Sequence, residues 1–80
     1  MARYFFHLRD GSDQVLDPEG IELADVDAVK AKVLLAARDT LSNDIREGKL
    51  DLRYRIEVED AAGNLVYRLA LKDAFEVIAN

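Results

Sequence analysis

From Val26 to about Glu47 the apolar residues recur at steps of three and four, at Val26, Val29, Val33, Ala36, Ala37, Leu41 and Ile45, joined by Leu34. That spacing puts them on one face of a helix, and a helix with a single apolar stripe must bury it against another element. The flanking residues mark its ends. Asp25 stands where an N-cap carboxylate accepts from first-turn amides, and Asp25 and Asp27 sit at the positive end of the dipole. Arg46 and Lys49 lie at the negative end, and Gly48 supplies the left-handed residue that stops the helix. Leu35 breaks the pattern by projecting near the middle of the polar face made by Lys32, Arg38, Asp39, Ser42 and Arg46.

The partner for this stripe is legible on both sides of it. Arg3 to Arg9 alternates, with Tyr4, Phe6 and Leu8 on one face and Arg3, Phe5, His7 and Arg9 on the other, the period of a strand. Asp10-Gly11-Ser12-Asp13 is a turn and Gln14-Val15-Leu16 a short return strand, so a hairpin is expected. Asp17-Pro18-Glu19-Gly20 has the residue order of a type I turn. Beyond the helix, Arg53 to Asp60 alternates with Tyr54, Ile56 and Val58 inward. Ala61-Ala62-Gly63-Asn64 turns the chain, and Leu65, Tyr67, Leu69 and Leu71 line one face of a fourth strand while Val66, Arg68, Ala70 and Lys72 line the other. Asp73 stands where it would cap a short terminal helix over Lys72 to Ile78. The fold expected is α+β, ββαββ: one domain over residues 1–80, with a four-stranded antiparallel sheet and the long amphipathic helix on one face. The expected strand order is 2-1-3-4, which keeps every neighbour antiparallel.

A chain of 80 residues is too short to enclose a large active-site cavity. Eleven basic and sixteen acidic side chains give a formal net charge of −5, a field that repels phosphate backbones and anionic lipid. Nucleic acid is therefore an unfavoured partner. With no cysteine there is no disulfide framework, thiolate metal site or cysteine nucleophile. No apolar run approaches a membrane span, and the cytoplasm is the expected compartment.

His7 is the one histidine, the side-chain type whose unperturbed pKa lies near neutrality, and so the first candidate for acid-base work or a metal, but it has no second histidine or cysteine in ligand spacing. Asp10, Asp13, Asp17 and Glu19 cluster near the first hairpin without the spacing of a calcium loop, and aspartate is also what turns prefer. No phosphate loop, nucleophile elbow or metalloprotease histidine pair occurs. The expectation is no catalytic residue, no metal and no cofactor.

The stretch Arg3-Tyr4-Phe5-Phe6-His7-Leu8-Arg9-Asp10-Gly11 resembles the opening signature of a family of small bacterial proteins of unknown function. The similarity continues through Asp17-Pro18-Glu19-Gly20-Ile21-Glu22-Leu23, the Ala-rich helix, Gly48-Lys49-Leu50-Asp51 and Ile56 to Gly63. The resemblance implies no activity, ligand or catalytic residue. What the residues themselves suggest is a non-enzymatic protein-interaction or self-association module, with a homo-oligomer or an unidentified protein as partner. Phe5, His7, Arg9, Leu35, Arg55, Val66 and Arg68 are the candidate interaction residues, on the sheet face away from the helix or, for Leu35, on the helix itself. The alternative is binding of a small ligand or nucleic acid to that open sheet face, where aromatic residues stack bases in RNA-recognition domains.

Overall fold

The computed structural model describes residues 1–80. Strands β1 (Ala2–Arg9), β2 (Gln14–Val15) and β3 (Ile21–Leu23) precede helix α1 (Val26–Arg46), and β4 (Arg55–Asp60) and β5 (Leu65–Ala70) follow it. The chain is α+β, with one long helix on an antiparallel sheet. The sheet has five strands where four are expected. Its main path is β2-β1-β4-β5, and the additional β3 shares the outer edge of β1 with β2. Ile21 pairs with Tyr4 and Leu23 with Ala2, while Val15 pairs with Leu8 and Gln14 with Arg9.

The helix ends as its sequence dictates. Asp25 Oδ1 accepts from the Ala28 amide at 2.8 Å. At the other end the Gly48 amide donates to the Ile45 carbonyl and the Lys49 amide to the Asp44 carbonyl, the paired bonds of a Schellman motif, with Gly48 at φ 83°. Val29, Val33, Ala37 and Leu41 are buried and pack with Tyr4, Ile56, Val58, Leu71 and Ala74. Phe6, Leu8, Tyr54, Tyr67 and Leu69 adjoin this core, so the helix covers the face of β1 that carries Tyr4, Phe6 and Leu8. Each fully buried aliphatic side chain contributes about 1.5–3 kcal/mol by leaving water. The stripe frays at its ends, where Val26 and Ile45 are largely exposed.

Two further expectations are corrected. A bulge at Val58/Glu59 sets Leu65 opposite Glu59 and Tyr67 opposite Val58. One extra residue inverts the alternation locally. Val66 therefore packs against the core, and exposed Leu65 takes its place on the far face. No terminal helix forms. Leu71–Asp73 is a single 3-10 turn, and Arg38 Nε donates to the Ala74 carbonyl at 2.9 Å, which uses an oxygen that a continuing helix would need. Val77 and Ile78 are exposed.

Candidate interaction surface

The sheet face away from the helix is mostly polar, and its charged side chains pair with one another. The register sets His7 opposite Glu57, Phe5 opposite Glu59, Arg9 opposite Arg55 and Glu57 opposite Arg68. Glu57 lies at the centre, only 8% exposed. Its Oε1 accepts from Arg9 Nη1 at 3.0 Å and its Oε2 from Arg55 Nε at 3.1 Å, with Arg68 Nη1 3.7 Å from Oε2. Arg9 Nη1 also reaches Glu59 Oε2 at 3.2 Å. Burial pushes the Glu57 carboxyl up, but the hydrogen bonds from Arg55 and Arg9 outweigh it and hold the group below the usual range.

His7 is buried in this layer. Its Nδ1 accepts from the Asp17 amide at 3.1 Å, which places the ring proton of the neutral form on Nε2, 3.5 Å from Glu59 Oε1. The Phe5 ring lies nearly parallel to it, with centroids 6.5 Å apart. No group of three or more His, Cys, Asp or Glu side chains is arranged to hold a metal ion.

Of the candidate interaction residues, Phe5, His7, Arg9, Arg55 and Arg68 come together in this layer. Leu35 does not join them, being exposed on the helix that covers the opposite face of the sheet, and Val66 belongs to the core.

The two edges of the sheet differ in their cover. On the β1 side the edge is broken into strands of two and three residues with Pro18 between them. The gap is sealed by Asp17, whose Oδ2 accepts from the Phe6 amide at 3.2 Å while Oδ1 accepts from the amides of Glu19 and Gly20. Short strands, proline and acidic residues are how proteins blunt an edge. On the other side β5 runs six residues without Pro or Lys. It pairs with β4 only, and no other hydrogen bond reaches Leu65 to Ala70. Alternation marks the strand in the sequence, and the expected order 2-1-3-4 puts it at an edge, where it lies.

An apolar cleft of about 230 Å³ opens beside the C-terminal half of α1, lined by Leu41, Ile45, Leu50 and Phe75 with Arg38 and Ser42. Its floor combines the helix stripe with the segment after β5. Sequence periodicity does not reveal it, because Leu50 and Phe75 lie in irregular segments.

A family model described as Domain of unknown function (DUF6894) matches residues 3–72. The chain belongs to this family. The matched span of this DUF6894 member runs from the start of β1 into the 3-10 turn, so it takes in the whole sheet and the helix. No curated protein and no solved structure matches the chain. No helix of this DUF6894 chain is long and apolar enough to cross a membrane.

Proposed function

We propose that this DUF6894 chain is a non-enzymatic self-association module in which two copies join through the outer edges of β5. The observation that carries this reading is the contrast between the edges. The β1 side is sealed along its length, by β2, the Asp17 carboxylate and β3, whereas the backbone groups of β5 that face away from β4 are unpaired, on a strand interrupted by one bulge at Val66. A bare six-residue edge is a template for strand addition. Two β5 strands related by a two-fold axis run antiparallel and extend the sheet across both copies.

The alternative, a small ligand or nucleic acid on the open sheet face, has weaker support. Arg9 and Arg55 already satisfy Glu57 and Glu59 there, and binding phosphate would first require those bonds to break.

Amide hydrogen exchange over rising protein concentration tests the proposal. Amides of β5 that point away from β4 should exchange freely in dilute solution and become protected as the dimer forms. Light scattering that finds a monomer throughout, with those amides never protected, would count decisively against it.

A further inference from the structure

We infer that the two copies also meet through their helices, along a seam made by Asp27, Ala31, Leu34 and Arg38, and that this seam selects a second copy over other edge strands. The inference rests on the β5 pairing proposed above. Helix α1 packs against β5 as well as β3 and β4. Lys30 Nζ lies 5.7 Å from the centroid of the Tyr67 ring, and Arg38 Nε bonds the Ala74 carbonyl just beyond β5. Joining two sheets at β5 therefore brings the two helices side by side on the same face.

The four residues recur at steps of four, three and four, which is one line along a helix. Leu34 is half-buried against the core, while Asp27, Ala31 and Arg38 are exposed, so the line marks the boundary between core and solvent. Under a two-fold axis the helices run antiparallel. With the axis midway between Ala31 and Leu34, Ala31 faces Leu34 of the second copy and Asp27 faces its Arg38, twice over. A small residue opposite a leucine permits close approach of two helices.

The charges agree with that register. Neither Asp27 nor Arg38 forms an ion pair within its own chain, while eight other pairings are made. Arg38 commits only Nε, to the Ala74 carbonyl. Its terminal nitrogens remain for an incoming carboxylate, and a guanidinium fixed in this way loses little freedom on pairing. Any other strand-adding partner lacks the matched Asp and Arg and receives no help from the helix.

Charge exchange tests the seam. Asp27→Arg and Arg38→Asp each place like charges in contact and are expected to weaken the dimer about tenfold or more in sedimentation equilibrium, while the double variant recovers most of the loss. If a swap fails to fold by circular dichroism, Asp27→Asn and Arg38→Gln replace it, each expected to weaken the dimer about threefold. Exchange of the β5 amides is followed in the same samples. Concentration-dependent protection of β5 with no response to the swaps overturns the seam and leaves the edge reading standing. A dimer that responds to the swaps while β5 stays unprotected overturns the edge reading and, with it, a seam formed by joining the two sheets. A monomer at every concentration overturns both.

Discussion

Asp17 Oδ2 accepts a hydrogen bond from the Phe6 amide at 3.2 Å, in the middle of β1, where the flanking strands β2 and β3 leave a gap. A side chain stands in for a strand carbonyl. The other carboxylate oxygen shapes the turn through Glu19 and Gly20, and the Asp17 amide fixes His7. One residue therefore closes the edge, forms the turn and orients the histidine of the opposite layer. The outer edge of β5 has no such cover.

Removing that carboxylate should be costly. Asp17→Ala leaves the amides of Phe6 and Gly20 without acceptors, and each partly buried orphan costs about 1–3 kcal/mol, for a total loss of roughly 2–6 kcal/mol. Asp17→Asn keeps one oxygen and should lose about half as much. Urea unfolding of the three proteins checks the order, and equal stability of Asp17→Ala and the parent would overturn the role assigned to Asp17.

Gly20 follows directly. It has φ 70°, and a Cβ there would lie 2.8 Å from the Tyr4 carbonyl oxygen and 2.9 Å from Phe5 Cε2. Gly63 has a similar φ of 85° with nothing nearby. Gly63→Ala should cost only the conformational penalty of about 1–2 kcal/mol, and Gly20→Ala roughly 2–4 kcal/mol because the edge of β1 must also give way. Thermal unfolding midpoints that place the two variants together would show that β1 and the turn are not in close contact.

How much of this was legible in the sequence depends on the range of the information. The helix, its caps and the inward faces of β1 and β4 follow from local spacing and capping chemistry, as Asp25 and Gly48 illustrate. The strand at Ile21 to Leu23 carries no signal in the sequence, because three residues give no measurable period. Its pairing depends on Tyr4, seventeen positions away. Val66 was set on the wrong face because a bulge adds one residue to β5 without altering its composition. Glu57 reads as an outward, solvated residue, and it does face away from the helix. Its burial comes from Arg9, Arg55 and Arg68, which only the register assembles. The terminal helix failed because tertiary contacts at Leu71, Ala74 and Arg38 outweigh a local capping signal.

The two kinds of exposed and buried apolar residue on α1 should separate cleanly. Val33 is 0% exposed, and Val33→Ala removes about two methyl groups' worth of burial and leaves a cavity, a loss of roughly 2 kcal/mol. Leu35 is 61% exposed on the outer side of the helix. Leu35→Lys should change stability by no more than about 0.5 kcal/mol. A large loss for Leu35→Lys in chemical denaturation would place Leu35 in a contact that the fold of one chain does not contain.

Acid should unfold the protein through Asp17 and Glu57. Burial pushes the Asp17 carboxyl up, but the amides of Gly20, Phe6 and Glu19 outweigh it and hold it below its ordinary value. Glu57 is lowered in the same way by Arg55 and Arg9 against its burial. Both groups bind protons more weakly when folded, so the unfolded chain takes up more protons as the pH falls. The stabilisation is fully present above the unfolded values, near pH 4, and is lost as the pH drops through them toward the folded ones. Asp51 is held lower still, at about 2, first by the hydrogen bonds it accepts from Arg53, but Arg53 is largely exposed and the pair is screened. The unfolding temperature should therefore be flat from about pH 7 to pH 5 and fall steeply below about pH 4. In the Asp17→Asn, Glu57→Gln double variant the plateau should be lower and the fall shallower. An acid transition of unchanged steepness in that variant would assign the effect to other carboxylates, with the half-buried Asp10 and Asp60 at the hairpin turns the next to be replaced.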